Sequence, residues 1–251
     1  MLVVQNIFRN FGGLVAVDDT SFAVVEGTIT SLIGPNGAGK TTLFNIVSGL
    51  LRPSAGTVRF KGTDITGWSP HRIARAGMGR TFQNVRLFQN LNAIENVIAA
   101  RFCRTRSSLL EALLFLPRDR RDRQRSREVA EELLDWVGIA AHRFQMPREL
   151  PYGDQRRLEV ARALATEPRL LMLDEPSAGM SHSESEALME LIGRLRQRGT
   201  TIFLIEHNMN LVMSISDKIV VLNFGKKIAE GSAQAIRTDP TVIEAYLGAE
   251  A

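Results

Sequence analysis

The stretch Gly34-Pro35-Asn36-Gly37-Ala38-Gly39-Lys40-Thr41-Thr42 decides the fold of this chain of 251 residues. An apolar run, Thr28 to Ile33, precedes it and has the composition of a strand. After it, four apolar residues recur at the spacing of one helix face: Leu43, Ile46, Val47 and Leu50. Gly49 and Pro53 mark the end of that helix. A strand, a glycine-rich loop and a helix in this order predict a phosphate-binding loop.

Each part of this loop suits the phosphates of a nucleotide, and the whole matches the Walker A pattern. Glycines let backbone N–H groups curl around the β- and γ-phosphates, while the helix points its positive end at the same anion. Lys40 adds a charge for the phosphate oxygens, Thr41 offers a hydroxyl to Mg²⁺ and Thr42 reaches a neighbouring phosphate oxygen. A glycine-rich turn with a chance lysine is the alternative, but it does not account for the flanking strand and helix. Alone, the motif predicts only a nucleoside triphosphate. The predicted ATP-binding residues of the loop are Gly34, Pro35, Asn36, Gly37, Ala38, Gly39, Lys40, Thr41 and Thr42.

A second apolar run, Leu170 to Leu173, ends in two acidic residues, Asp174 and Glu175. This is a Walker B pattern, in which Asp174 would hold Mg²⁺ and Glu175 would polarise the attacking water. Two acids at the end of a strand are also compatible with a helix cap or a solvated turn. The buried character of the strand and the phosphate loop upstream favour the catalytic interpretation.

The rest of the chain predicts a mixed α/β core interrupted by a helical insert. Residues 88 to 158 have helical patterns and little strand character, and Arg127 to Gly138 carries an apolar stripe. From residue 168 onward, strands and helices alternate again. The predicted strands are Leu2–Ile7, Ser21–Val25, Thr28–Ile33, Leu170–Leu173 and Thr200–Ile205, with a hairpin of Lys218–Leu222 and Lys227–Glu230 and a helix over Glu184–Arg198.

Composition and charge exclude several classes of protein. The formal net charge is +4, but residues 101 to 127 hold nine arginines against three acidic residues, so the remainder sums to about −2. The basicity belongs to one segment and does not indicate a nucleic-acid partner. Cys103 is the single cysteine, which excludes an internal disulfide and a cysteine metal cluster. No apolar run is long enough to span a bilayer, the best being Leu109 to Leu116, and we expect no secretory signal.

Further motifs narrow the class. The segment Leu150 to Leu164 resembles the signature segment of ABC ATPases, normally Leu-Ser-Gly-Gly-Gln followed by a basic, apolar helix. Gln83 resembles the Q-loop glutamine, His207 the switch histidine, and Phe11 the aromatic residue that lies under adenine. Each has a structural alternative, since a single glutamine, histidine or phenylalanine usually lies on the surface or in the core. The order of all six motifs along the chain resembles the ABC ATPase family over essentially its whole length.

This resemblance implies a P-loop NTPase (RecA-like) α/β core with an N-terminal antiparallel β-subdomain and an inserted α-helical subdomain. We expect the core to comprise residues 1–87 and 159–251 and the helical signature subdomain residues 88–158. Two ATPase subunits of this family pack head to tail, so each ATP meets the signature of the other subunit. The signature residues expected to face the partner's ATP are Pro151, Tyr152, Gly153, Asp154 and Gln155.

The resemblance also assigns roles and partners. It implies Glu175 as general base, His207 at the γ-phosphate and the base, and Gln83 at Mg²⁺ and water, with Thr41 and Asp174 as further Mg²⁺ ligands. Expected partners are transmembrane permease subunits, a second ATPase subunit in a hetero- or homodimer and, indirectly, a periplasmic or extracellular solute-binding protein. The expected location is the cytoplasmic face of the cell membrane, as a peripheral subunit.

One branch of the family fits best. Arg80 to Phe88, Tyr152 to Glu159 and the ending Val242 to Gly248 look like the larger ATPase subunit of branched-chain amino-acid importers. Urea or amide importers use similar ATPases, and the lipopolysaccharide-export ATPase shares a similar ending but has a different Q-loop. Soluble ABC proteins that act on ribosomes or DNA usually carry two cassettes or a long coiled coil, and this chain has one cassette and a short insert.

The chain departs from the family pattern at three positions. Pro151 stands in place of the signature serine and has neither a hydroxyl nor an N–H to offer a phosphate. Tyr152 replaces the first signature glycine. Ala178 to Ser181 stand in place of the family's D-loop, and Ser181 cannot supply the carboxylate usual at its end. These changes concern the partner's ATP and communication across the dimer, while this chain's own Walker residues are intact.

Overall fold

This computed structural model describes residues 1–83, 85–105 and 117–247. The strands are β1 (Leu2–Phe11), β2 (Leu14–Val24), β3 (Ile29–Ile33), β4 (Ala55–Phe60), β5 (Thr63–Asp64), β6 (Met78–Arg80), β7 (Leu170–Asp174), β8 (Thr201–Ile205), β9 (Lys218–Asn223) and β10 (Lys226–Gly231). The helices are α1 (Lys40–Val47), α2 (Pro70–Ala76), α3 (Ala93–Ala100), α4 (Pro117–Trp136), α5 (Tyr152–Ala165), α6 (His182–Gln197), α7 (Met209–Ile215), α8 (Ala233–Arg237) and α9 (Pro240–Leu247). Short 3₁₀ helices cover Arg101–Arg104, Ala140–His142 and Pro147–Glu149.

The central sheet has six strands in the order β10-β9-β3-β8-β7-β6. Only β10 pairs antiparallel to its neighbour, so the strands from β9 to β6 are parallel. Every residue of β3, β7 and β8 is buried. Parallel strands covered on both faces have continuous apolar sequences, which is why these three were recognisable from sequence.

A second, antiparallel sheet has the order β2-β1-β4-β5 and confirms the expected N-terminal β-subdomain. The short strands β5 and β6 were not among those predicted from the sequence, and neither was β4. Only Val58 and Phe60 of this strand are buried, and the apolar alternation is too short to stand out. The two sheets meet around Phe203 of β8, whose ring centroid lies 5.4 Å from that of Phe22 and 5.1 Å from that of Phe44.

The helical insert packs α3, α4 and α5 against one another and adds its apolar side chains to the core beneath the central sheet. The predicted helix from Arg127 is the second half of α4, and Leu134 and Val137 of its stripe are buried. No described helix is long and apolar enough to span a bilayer, and the run Leu109 to Leu116 lies outside the described residues.

Two expected boundaries can be compared with the structure: the end of α1 and the division between core and insert. The helix after the phosphate loop ends at Val47, so placing Leu50 on its buried face was wrong: Leu50 follows Gly49, which has a left-handed φ of 76°, and is 49% exposed. The expected division at 158/159 falls inside α5, which continues through it without a break. The subdomain limits therefore stay a prediction.

Candidate functional site

The phosphate loop connects the buried end of β3 to the start of α1. A Cβ at Gly34 would lie 2.1 Å from the carbonyl oxygen of Leu222, and one at Gly39 would lie 2.3 Å from that of Ala16. Both glycines also have positive φ. No side chain fits at either position, so close packing against the neighbouring backbone, as well as turn geometry, requires glycine there.

Lys40, the first residue of α1, lies within the loop. Its Nζ donates to the carbonyl oxygens of Gly34 at 2.7 Å and Pro35 at 2.9 Å. Burial lowers the pKa of Lys40, and the negative charge of Glu175 opposes that shift. The ammonium group is thus held at the mouth of the loop, where the N-terminus of α1 also favours an anion.

One cavity of about 430 Å³ brings most of the predicted nucleotide residues together. Its lining comprises Phe11, Leu14, Val15, Ala16, Asn36, Gly37, Ala38, Gly39, Lys40, Thr41, Thr42, Gln83, Glu175 and His207. Gly34, Pro35 and Asp174 are not part of this lining. The rim includes Phe11 and Leu14, which are 46% and 68% exposed and offer an apolar surface on which a flat base could stack.

Glu175 has both carboxylate oxygens engaged inside this cavity. Gln83 donates from Nε2 to Oε2 at 2.8 Å, and Nε2 of His207 contacts Oε1. The backbone of Glu175 has a φ of 47°, a left-handed conformation that is costly for a residue with a side chain. Two residues far apart in sequence, Gln83 and His207, therefore hold this carboxylate opposite the phosphate loop.

Glu206 supports this arrangement and was not singled out from the sequence. Its Oε2 accepts the backbone N–H of His207 at 2.9 Å, and its Oε1 accepts that of Ser177 at 3.0 Å. The side chain is almost fully buried, at 3% exposure. Glu206 thus joins the segment after β8 to the segment after Glu175. The signal in the sequence was an acidic residue placed between the apolar run Thr201–Ile205 and His207.

Asp174 has one oxygen paired and one free of protein donors. Its Oδ2 accepts from Nη2 of Arg80 at 2.9 Å, whereas the buried Oδ1 has no hydrogen-bond partner among the described residues. Burial raises the pKa of Asp174, and the Arg80 guanidinium opposes that shift. A carboxylate oxygen that is buried and unpaired suits a hard divalent cation such as Mg²⁺, which often uses one or two carboxylates together with phosphate oxygens.

A second buried network holds the Q-loop against α5. Arg156 donates to the carbonyl oxygens of Phe82 at 3.1 Å and Gln83 at 2.7 Å. Glu159 accepts the N–H of Phe82 at 3.1 Å. Burial raises the pKa of Glu159, while that hydrogen bond and Arg156 oppose the shift. The signature helix therefore fixes the backbone that carries Gln83.

The five signature residues are not part of the nucleotide cavity. They form the start of α5, where Pro151 is the N-cap and its carbonyl accepts the N–H groups of Asp154 and Gln155, both at 3.0 Å. Pro151 and Tyr152 are exposed. The hydroxyl of Tyr152 donates to the carbonyl oxygen of Ala178 at 3.0 Å, so the signature contacts the D-loop segment of the same chain.

A larger groove of about 880 Å³ lies between the core and the helical insert. Arg86 and Phe88 are part of its lining, and Phe88 is 50% exposed. Leu87, between these two residues, is 7% exposed and packs in the core that the insert shares with the central sheet. Asn84, which belongs to the same stretch from Arg80 to Phe88, lies outside the described residues.

Comparisons with known proteins find relatives that match almost the whole length of this chain. A family model described as ABC transporter matches residues 17–178, and one described as branched-chain amino acid ATP-binding cassette transporter matches residues 226–251. The chain is 45% identical over 249 residues to the high-affinity branched-chain amino acid transport ATP-binding protein BraF of Pseudomonas aeruginosa, covering 99% of this chain and 98% of the relative. LivG of Escherichia coli K12, described in the same words, matches to the same extent.

Solved structures show the same fold. The crystal structure of the ADP conformation of MJ1267, an ATP-binding cassette of an ABC transporter, superposes with a TM-score of 0.86 and is 30% identical. The superposition covers 99% of this chain and 98% of that one, so the helical insert and the C-terminal helices are included in the match.

Proposed function

Because this chain belongs to the ABC transporter family of ATP-binding proteins, we propose that it hydrolyses ATP to energise an importer of branched-chain amino acids. Proteins of this family bind nucleotide and hydrolyse it in transporters. The observation that carries the proposed chemistry is the carboxylate of Glu175, held by Gln83 and His207 across from the phosphate loop. The amino-acid substrate rests on the full-length similarity to BraF and LivG.

In the proposed mechanism, the loop from Gly34 to Thr42 binds the phosphates and Phe11 supports the base. Thr41, Gln83 and Asp174 would hold Mg²⁺, which when bound neutralises charge on the β- and γ-phosphates. The free oxygen of Asp174 supports this assignment. Lys40 contributes its charge to the same oxygens.

Hydrolysis needs a water aligned with the γ-phosphorus. Glu175 takes one proton as the water oxygen bonds to phosphorus, and the bond to the β-phosphate oxygen breaks to release ADP. Gln83 and His207 keep the carboxylate aimed at this water, so the rate gain comes from positioning and charge stabilisation. His207 contacts Glu175 and also lines the cavity, which supports the proposal that it meets the γ-phosphate as well as the base.

The proposed assembly follows the architecture of the family. ABC ATPase subunits form dimers and act with permease subunits. We propose that a different ATPase subunit pairs with this one, head to tail, and that Pro151 to Gln155 face its ATP. The position of these residues outside this chain's own cavity supports that arrangement. We further propose that a short segment of a permease occupies the groove around Arg86 and Phe88, at the cytoplasmic face of the membrane.

The test is to purify the chain with the products of its neighbouring genes, reconstitute the complex in liposomes and measure ATP hydrolysis. Branched-chain amino acids with their binding protein should stimulate turnover, whereas urea and lipopolysaccharide should not. A complex that carries Glu175→Gln is the matched control for contaminating ATPases. Stimulation by urea or an amide instead would overturn the proposed substrate, and absence of ATP hydrolysis would overturn the proposed activity.

A further inference from the structure

Arg80, the last residue of β6, connects three parts of the molecule that the proposed function treats separately. Its Nη2 donates to Oδ2 of Asp174 at 2.9 Å, at the end of β7. Its Nη1 donates to Oγ of Ser48, the residue directly after α1. Arg80 and Ser48 also line the groove proposed to receive the permease.

The guanidinium is held on its other faces too. Its carbon lies 5.0 Å from the ring centroid of Phe44, on α1, and 5.2 Å from that of Phe82, next to Gln83. Ser48 in turn donates to the carbonyl oxygen of Phe44 at 2.9 Å. The two hydrogen bonds and two aromatic contacts together fix the orientation of the planar, forked guanidinium. A lysine ammonium could not make the same set of contacts. Arg80 thereby ties the helix that begins with the Walker A lysine to the strand that ends in the Walker B acid.

The ion pair with Arg80 engages one of the two carboxylate oxygens of Asp174 and leaves the other without a donor among the described residues. The side chains of Arg80 and Asp174 are 10% and 3% exposed, so water contributes little to either. Oδ2 is occupied by the arginine and Oδ1 has no partner among the described residues. A buried charge whose partner is removed is strongly destabilised, so Asp174 depends on Arg80 both for its charge and for its orientation.

We infer that Arg80 is a positioning residue that orients Asp174 for Mg²⁺ and makes this orientation respond to whatever occupies the groove. The inference rests on the proposed function, because it takes Asp174 as the metal-binding carboxylate. Met172, which pairs with Arg80 across β6 and β7, lines the same groove, as does Phe82. An apolar segment seated there removes water from this wall, and a lower local dielectric strengthens the Arg80–Asp174 attraction.

The first experiment measures binding, not turnover, in subunits that all carry Glu175→Gln. For each, the dissociation constant of ATP is measured with EDTA and with Mg²⁺. The Mg²⁺ enhancement is the constant in EDTA divided by the constant in Mg²⁺. Arg80→Met should lower this enhancement about tenfold and leave the constant in EDTA unchanged. Arg72→Met is the matched control, because Arg72 stacks on Trp68 at 4.0 Å and is outside the groove lining.

Two milder variants cover the case in which Arg80→Met does not fold. Arg80→Lys keeps the charge but cannot make both hydrogen bonds of the guanidinium. Ser48→Ala removes the hydrogen bond to Ser48 while the ion pair with Asp174 remains. Each should give a folded protein with an enhancement lowered about threefold. Equal enhancement in the Arg80 variants and in Arg72→Met would overturn the inference and leave the proposed function standing. No ATP binding in any of these proteins, with or without Mg²⁺, would instead overturn the proposed function.

The second experiment tests the link to the groove through Cys103, which lines it. Labelling this thiol with a bulky apolar maleimide places an apolar group in the groove. The label should raise the Mg²⁺ enhancement at least twofold in the chain with Arg80 and leave it unchanged in Arg80→Lys. Cys103→Ser treated with the same reagent is the control. An equal effect in both chains, or no effect in either, would overturn the link.

Discussion

At the scale of single residues, the catalytic proposal depends on how one carboxylate is held. Glu175 could point in several directions from the end of β7, but Gln83 and His207 take both of its oxygens. Its left-handed backbone is kept by a hydrogen bond from its N–H to the carbonyl oxygen of Ile205, at 2.9 Å. The strained conformation and the two side-chain contacts together fix the position of the proposed base.

The first prediction is that Glu175→Gln retains ATP binding and loses turnover by a factor of about 10² to 10⁴, the usual contribution of a general base. Glutamine keeps the shape of the side chain but cannot take a proton, while Lys40 and the loop are untouched. Equilibrium binding and steady-state phosphate release measure the two effects. Lys40→Ala is the comparison, and it should weaken binding itself. Normal turnover in Glu175→Gln would show that another group is the base.

At the scale of elements, Ser181 has a structural role that its departure from the family pattern conceals. It is the N-cap of α6 and forms a capping box with Glu184, whose carboxylate accepts the backbone N–H of Ser181 at 2.9 Å. The hydrogen bonds from Ser181 lower the pKa of Glu184. The serine therefore begins the helix that follows the D-loop.

The second prediction follows from this cap. Ser181→Ala should lower the melting temperature by about 2–4 °C, which corresponds to the loss of a typical N-cap in a domain of this size. Ser181→Asp should keep it within about 1 °C, because aspartate caps helices as well as serine does. Thermal unfolding by circular dichroism measures both. A lower melting temperature for the aspartate variant than for the alanine variant would contradict the assigned role.

The third prediction concerns the arginines of α4. Several are paired with exposed acids about one turn away, as in Arg125 with Glu128 at 3.8 Å and Arg127 with Glu131 at 3.2 Å. Such i,i+3 and i,i+4 pairs are typical of a solvated helix face. Replacing Arg120, Arg121 and Arg125 by glutamine should therefore leave flotation of the subunit with anionic liposomes unchanged. A salt-dependent loss of flotation would indicate contact with lipid headgroups, to which each basic residue contributes roughly 1 kcal/mol.

At the scale of the whole molecule, the groove between core and insert is the proposed site for a permease segment. The fourth prediction is that a photo-crosslinker at Phe88, which is half exposed, captures a permease subunit in the reconstituted complex. A crosslinker at Phe224, 84% exposed in the turn between β9 and β10, is the control and should capture none. Capture from Phe224 alone would place the permease on another face.

The fifth prediction concerns the two ATP sites of the proposed heterodimer. In that dimer Pro151 would lack the hydroxyl that the usual signature serine offers the partner's ATP, and such a contact to a charged group contributes on the order of 1.5–3 kcal/mol. That corresponds to about one to two powers of ten in affinity or rate. The N–H groups of Tyr152 and Gly153, in the first turn of α5, would offset part of this loss. ATP on this chain should be hydrolysed competently, and ATP at the site facing Pro151 more slowly.

Separate mutation of Glu175 and of the partner's equivalent base measures this asymmetry as residual turnover in the reconstituted complex. Loss of Glu175 should remove most of the activity, and Pro151→Ser should raise turnover at the partner's site. Equal losses in the two base variants, or no effect of Pro151→Ser, would show that the sites are equivalent.

Much of this protein is determined by local sequence. The glycines at 34 and 39, the apolar runs of β3 and β7 and the hairpin around Phe224 predicted their own structures, because each depends on residues that are neighbours in the chain. The order of the motifs along the chain was sufficient to indicate the family. Three strands were too weakly patterned to be predicted: β4, with two buried side chains, and the short β5 and β6.

The contacts that make a site were decided by the tertiary structure. Gln83 reaches Glu175 across 92 residues of sequence, and Arg80 reaches Asp174 across 94. No local pattern encodes such pairs, since they form only when β6 lies beside β7 in the folded sheet. The same packing buries Leu87, half exposes Phe88 and places Arg80 between groove and carboxylate. Sequence periodicity specifies which face of an element is apolar, whereas the fold determines which faces and side chains meet.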